Sequence, residues 1–242
     1  MTPESLRTVA LIPAGGMGLR MGGTVRKQFC PLGGLPLLVH SLRVFQSSPV
    51  IDAVVLAVPE ADLQYCQTEI IERHGFTKIL DVVAGGRERQ DSVRHALAVV
   101  EEAGTLVVIH DAVRPFVTNT MVQQVDEAAA KDGAAIIALP MRDTVKQVGG
   151  DHLIERTVDR RPLWLAQTPQ AFRRDWLVEA HRKAHAEGLS ATDDAFLMEW
   201  MGHPVRVVEG SGENIKVTRP EDIIIGEAIL ASRAGRTLSQ SD

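Results

Sequence analysis

Aromatic side chains are scarce: Phe, Trp and Tyr together make up 4% of the 242 residues, while hydrophobic residues of all kinds reach 45%. The apolar mass is therefore Ala, Val, Leu and Ile, the composition of strands buried on both faces of a parallel sheet. Cysteine is nearly absent. Cys30 and Cys66 match no metal or redox spacing, so reduced thiols and a cytoplasmic location are expected. Positive charge is not in excess, and a net charge of -5 argues against a nucleic-acid footprint. No apolar run approaches the roughly 18 residues of a membrane span, and Met1-Thr2-Pro3-Glu4 lacks the basic-then-apolar pattern of a secretion signal. The histidines show no ligand spacing. His40, His95, His181 and His185 fall in helical patterns, and none is read as a metal ligand.

What is present is a rhythm of short apolar runs and amphipathic stretches. Val9–Pro13, Ala53–Pro59, Ile79–Ala84, Thr105–His110, Ala135–Pro140 and Pro204–Val208 read as buried strands. Ser92–Ala103 and Asn119–Lys131 read as helices, the second with Asn119 as N-cap and Gly133 just past its end. Thr218-Arg219-Pro220-Glu221 has the spelling of a capping box before another helix. This alternation predicts an α/β fold, a doubly wound, mainly parallel Rossmann-like sheet in one domain over residues 1–242. Met141–Trp164 breaks the rhythm. Two half-polar strand patterns flank Gly149-Gly150-Asp151, a hairpin turn, and they lack the apolar groups for a core of their own. Residues 141–164 are expected to form an arm that lies on a partner.

The first strand runs into Pro13-Ala14-Gly15-Gly16-Met17-Gly18-Leu19-Arg20. Glycines there let backbone N–H groups approach an anion, and a following helix adds a favourable dipole. Dinucleotide-binding proteins share this device, so the loop alone does not decide. Arg20, Arg26 and Lys27 supply more positive charge than a backbone-held pyrophosphate requires. The acids Glu60 and Asp62 lie about 40 residues past the loop, not the ~20 of ribose recognition. A nicotinamide dehydrogenase is thereby disfavoured.

Four further segments follow in order: Gly85-Gly86-Arg87-Glu88-Arg89-Gln90-Asp91-Ser92-Val93; His110-Asp111-Ala112-Val113-Arg114-Pro115; Thr157-Val158-Asp159-Arg160 with Gln167-Thr168-Pro169-Gln170; and Thr192-Asp193-Asp194 with Asn214-Ile215-Lys216-Val217-Thr218. Together with the glycine loop and Lys27-Gln28 they resemble the signature of the cytidylyltransferases of the non-mevalonate isoprenoid pathway, over nearly the whole chain. The sequence departs from that pattern at Gly15, commonly alanine, at Arg26, usually proline, and at Arg87, an acid in the best-known members.

The resemblance implies cytidylyl transfer from CTP to methylerythritol phosphate, with Mg²⁺ and a homodimer joined through residues 141–164. A ribitol phosphate acceptor and a non-catalytic nucleotide-binding regulator are the alternatives. It implies that the backbone of Pro13, Ala14, Gly15, Gly16 and Gly18 holds phosphates beside Arg20 and Lys27, and that Lys216 contacts them too. Gly85, Gly86 and Ser92 would frame cytosine, with Ser92 as a helix N-cap the competing reading. Asp111 would accept from ribose hydroxyls or help hold Mg²⁺, or else cap a helix. Thr144 and Arg160 match residues that bind the acceptor from the neighbouring subunit. Thr168 and Thr192 are candidates for substrate hydroxyls, though Thr192 could equally cap the next helix. Arg114 is a further substrate candidate, or a structural ion pair.

Overall fold

The computed structural model describes residues 7–15, 26–101 and 104–238, with side chains to 236. The chain opens on β1 (Thr8–Pro13). A small antiparallel pair, β2 (Pro31–Leu32) and β3 (Leu35–Pro36), leads into α1 (Leu37–Ser47). Next come β4 (Ala53–Val58), then α2 (Leu63–Tyr65) continuing as a π-helical stretch, Cys66–Glu72, then β5 (Ile79–Ala84) and α3 (Arg89–Ala98). The middle of the chain holds β6 (Leu106–Ile109), α4 (Asn119–Asp132), β7 (Ala134–Pro140), β8 (Val145–Val148) and β9 (Ile154–Val158). It closes with β10 (Trp164–Arg173), α5 (Arg174–Glu187), α6 (Asp194–Trp200), β11 (Arg206–Glu209) and α7 (Pro220–Leu238).

Seven strands form one sheet in the order β11-β7-β10-β6-β1-β4-β5. Successive side chains of a strand point to opposite faces, and each strand of this sheet has apolar residues to send both ways. Ala10 and Ile12 of β1 pack with Leu42 and Phe45 of α1 and Val122 and Val125 of α4. Val9 and Leu11 pack with Val93 and Leu97 of α3 and Leu177 of α5. Both faces are thus covered, as parallel strands require. The expected doubly wound sheet is what forms.

The site follows from strand order. β1 pairs in parallel with β4 on one side and with β6 on the other. The chain crosses over in opposite directions from this point, and a crevice opens beyond the carboxyl ends of β1 and β6. One strand was not foreseen. β10 runs antiparallel between β6 and β7, with a register shift between Ala166 and Gln170 where the Thr168–Pro169 bond is cis. Its run, Trp164-Leu165-Ala166-Gln167-Thr168-Pro169-Gln170-Ala171-Phe172-Arg173, is interrupted by polar residues and proline, so it gives no continuous apolar signal.

Three helix starts also differ from expectation. Thr118, not Asn119, caps α4 by accepting from the Met121 N–H, while Gly133 ends that helix as expected, at φ 89°. α3 begins at Arg89, with Glu88 and Asp91 as a reciprocal capping box, so Ser92 lies inside the helix. Before α7 it is the Asp222 carboxylate, not Glu221, that accepts from the Thr218 and Arg219 N–H groups.

β8 and β9 pair antiparallel as a two-stranded sheet of their own, the hairpin arm expected from the sequence. The positive φ of its turn falls on His152, at 62°, not on the glycines. The arm is apolar in places and open to solvent there. Leu153 is 67% exposed and Ile154 63%, and Trp164 and Leu165 at its base are half exposed.

Candidate active site

Two hollows meet at the carboxyl edge of the sheet. The first, about 260 Å³, is bounded by the β1 end at Pro13, Ala14 and Gly15, by Lys27, and by the turn between β5 and α3. The second, about 250 Å³, is bounded by Arg114, Thr168, Gln170 and Thr192. Arg89, Asp111 and Lys216 line both.

Local sequence explains each wall. The Ala14 N–H donates to the Ala57 carbonyl, which anchors the start of the glycine loop on β4. The β5–α3 turn is tight enough that a Cβ at Gly86 would come 2.1 Å from Cβ of Asp91. Ser92 holds this turn from within α3: its hydroxyl accepts from the Gly86 N–H at 3.1 Å and donates to the Glu88 carbonyl at 3.2 Å. Arg26 does not add charge to the hollow, because its Nε pairs with Asp62 at 2.7 Å.

Asp111 lies just past β6, after His110, and caps no helix. Its Oδ1 is 2.9 Å from Arg89 Nε, and its Oδ2 is 2.7 Å from Lys216 Nζ and 3.8 Å from Arg114 Nε. Burial alone would raise this carboxyl, but the three cations outweigh it and hold it well below the usual carboxylate range. Arg89 is shared. Its Nη1 lies 2.7 Å from Oδ2 of Asp194, whose Oδ1 takes His181 Nε2 at 3.1 Å. Asp194 is likewise depressed, burial being overcome by Arg89 and His181. Asp193, not Thr192, caps α6 by accepting from the Phe196 N–H.

Behind the hollows is a buried polar frame. The Thr168 hydroxyl accepts from the Asp111 N–H at 3.0 Å and meets His110 Nδ1 at 3.1 Å, while His110 Nε2 donates to the Arg114 carbonyl. Burial pulls the His110 pKa down to about 4, against the pull of Asp111, so the ring is neutral near pH 7. Asn214 donates to the Thr168 carbonyl at 2.9 Å, and the Arg114 guanidinium donates to the Asn214 carbonyl at 2.8 Å. The Val217 N–H donates to the Val113 carbonyl. These bonds fix the segment that carries Lys216 against the end of β6.

The arrangement combines backbone donors, two or more cations and a buried carboxylate held ionised near pH 7, which is a setting for phosphoryl chemistry. Comparison with known proteins is in accord. A family model described as IspD, 2-C-methyl-D-erythritol 4-phosphate cytidylyltransferase, matches residues 8–232. The chain belongs to this family. A 2-C-methyl-D-erythritol 4-phosphate cytidylyltransferase of Syntrophus aciditrophicus is 49% identical over 95% of this chain and 98% of its own length. Its counterpart from Geobacter metallireducens is 45% identical over 93% and 97%. Among solved structures, the Thermus thermophilus cytidylyltransferase superposes with a TM-score of 0.76 at 36% identity, covering 92% of this chain and 98% of its own. The 4-diphosphocytidyl-2C-methyl-D-erythritol synthase of Anaerococcus prevotii gives 0.82 at 30% identity, over 94% and 97%.

Within this cytidylyltransferase, the residues singled out in the sequence fall into four groups, apart from Gly85, which lines neither hollow and whose N–H donates to the Val58 carbonyl at 2.7 Å. Pro13, Ala14, Gly15, Lys27, Gly86, Ser92, Asp111 and Lys216 line the first hollow. Arg114, Thr168 and Thr192 line the second, with the Thr168 hydroxyl already engaged by Asp111 and His110. Thr144 and Arg160 are exposed on the arm and line neither hollow; the Arg160 guanidinium donates to the Arg142 carbonyl. Gly16, Gly18 and Arg20 lie outside the described residues. Arg89, Asp194 and His110 carry much of the electrostatics and had been assigned no role. All three lie within the motif segments, Arg89 and Asp194 near Ser92 and Thr192 and His110 beside Asp111, and that proximity is their only mark in the sequence.

Proposed function

We propose that the first hollow receives CTP, the second receives the acceptor phosphate, and Arg89, Asp111 and Lys216 form the seam at which the two meet. The activity follows from the family: the cytidylyl group of CTP passes to 2-C-methyl-D-erythritol 4-phosphate, yielding 4-diphosphocytidyl-2-C-methyl-D-erythritol and pyrophosphate. An acceptor phosphate oxygen bonds to the α-phosphorus as the bond to the β-phosphate bridge breaks. A phosphate monoester is largely ionised near pH 7, so no general base is needed. The protein's work is positioning and charge stabilisation.

In this reading the β1 turn and Lys27 hold the triphosphate, with Gly16, Gly18 and Arg20 completing the loop. The Gly85–Gly86 turn, braced by Ser92, offers backbone groups to cytosine. Lys216 and Arg114 face the acceptor phosphate, and Thr192 its hydroxyls. Thr168 acts through Asp111, whose backbone it holds. Thr144 and Arg160 serve the acceptor of a second copy, which makes the functional unit a homodimer joined through residues 141–164. No cluster of three or more metal-ligating side chains exists among the described residues. The ionised carboxylate of Asp111 at the seam, with Glu88 also lining the first hollow, nonetheless suits Mg²⁺, a hard ion that takes one or two carboxylates together with substrate phosphates. Bound there, the ion would neutralise charge on the triphosphate.

The observation that supports this reading is the sharing of Arg89, Asp111 and Lys216 by both hollows. Steady-state kinetics test the division of labour. Ser92→Ala is expected to raise KM for CTP several-fold and to leave the acceptor KM nearly unchanged; Thr192→Val is expected to do the reverse. Both lesions acting on the same substrate would defeat the assignment.

A further inference from the structure

On the sheet face away from α1 and α4, a hollow of about 300 Å³ opens between α3 and α5. Its volume is at the lower end of small-molecule sites. α3 presents Arg94, Leu97 and Ala98, and α5 presents Arg174, Val178, His181, Arg182 and His185. The α5 positions recur at helical spacing, so they form one face. Three guanidinium groups line the hollow and no carboxylate does. Arg94 meets Asp91 at 3.5 Å and His95 Nε2 at 3.3 Å, and Arg174 donates to the Val100 carbonyl. Arg182 is exposed and pairs with no acid among the described residues.

The floor is equally distinctive. Leu97 is 3% exposed and His181 1%, so the base is dry and largely apolar. His181 Nε2 donates to the Asp194 carboxylate, and its buried Nδ1 has no hydrogen-bond partner. None of these residues except through Asp194 touches the catalytic cleft.

We propose that this hollow is a second ligand site, for a small amphipathic anion whose charged head meets the arginines and whose short apolar body covers Leu97 and Val178. Arginine suits such a head through its planar fork, and the dry floor accounts for the apolar part.

The test uses the full chain saturated with 4-diphosphocytidyl-2-C-methyl-D-erythritol and no pyrophosphate, so that both hollows of the catalytic cleft are filled. Octyl phosphate is titrated while the methyl signals of Leu97, Val178 and Val113 are followed by NMR. Saturable shifts at Leu97 and Val178, with Val113 in the cleft unmoved, are expected. Octanol or inorganic phosphate alone should bind at least about tenfold more weakly, since each lacks one half of the contact. Arg182→Glu should retain wild-type cytidylyl transfer, showing that it is folded, and weaken octyl phosphate about tenfold or more. Shifts confined to Val113, no saturable shift at all, or unchanged affinity in Arg182→Glu would each overturn the proposal.

Discussion

Lys216 Nζ lies 2.7 Å from Oδ2 of Asp111, so the lysine assigned to the substrate phosphates is already held by a buried carboxylate before any substrate arrives. The pairing fixes a flexible side chain at the seam of the two hollows. Replacing Lys216 by Ala removes a cation from the reacting phosphates and should lower kcat by roughly 10²-fold or more, with the fold retained, since the lysine side chain is 41% exposed. Steady-state turnover of a variant with an unchanged melting temperature checks this.

Arg89 carries a different burden. It stands between the buried carboxylates of Asp111 and Asp194. Arg89→Met leaves two buried anions with fewer partners, and breaking a buried pair on one side costs about 3–5 kcal/mol. The melting temperature should fall by roughly 10 °C for a chain of this size. Adding Asp194→Asn removes one of the stranded charges and should recover part of the loss. A thermal melt of the single and double variants reads both effects.

The chain's regular elements were written plainly in its sequence, because a sheet covered on both faces needs uninterrupted apolar strands. Five of the expected strands fall within one residue of their observed ends, and the sixth, Pro204–Val208, starts two residues later at Arg206. β10 escaped because its polar middle, Gln167-Thr168-Pro169-Gln170, supplies the frame beneath Asp111 and so breaks the apolar run. Site residues that face substrate were legible from motifs. Those that hold other site residues were not, since Arg89 and Asp194 meet only through folding, with 105 positions between them.

Acidity should act through His110 first. Its folded pKa is down at about 4 against an ordinary 6.5. Below pH 6.5 the unfolded chain therefore binds a proton that the folded chain refuses, and stability falls by about 1.4 kcal/mol per pH unit until about pH 4. Asp111 and Asp194 are depressed carboxyls, so their contribution is intact above pH ~3.8 and is lost only below it. Urea unfolding across pH 4–7 should show a one-proton slope that His110→Gln abolishes, whatever its effect on absolute stability.

The arm makes a prediction about pairs of subunits. Arg160→Ala and Lys27→Ala should each be nearly inactive alone. If Arg160 serves the partner's acceptor site, a heterodimer of the two has one site carrying both lesions and one carrying neither. Equal mixing should then restore up to about a quarter of wild-type activity, by random pairing in a shared-site dimer. Verified heterodimers without recovered turnover would show that the arm serves its own subunit.

The most direct measurement of the central claim is pyrophosphate release by the purified protein from CTP, UTP, ATP or GTP in turn, with methylerythritol phosphate or ribitol phosphate as acceptor. A base site made of backbone groups that match cytosine leaves unpaired groups against uracil, at about 1–3 kcal/mol each. CTP with methylerythritol phosphate should therefore give the highest kcat/KM, at least about tenfold above UTP with the same acceptor. Equal turnover of CTP and UTP, or faster release with ribitol phosphate than with methylerythritol phosphate, would contradict the account.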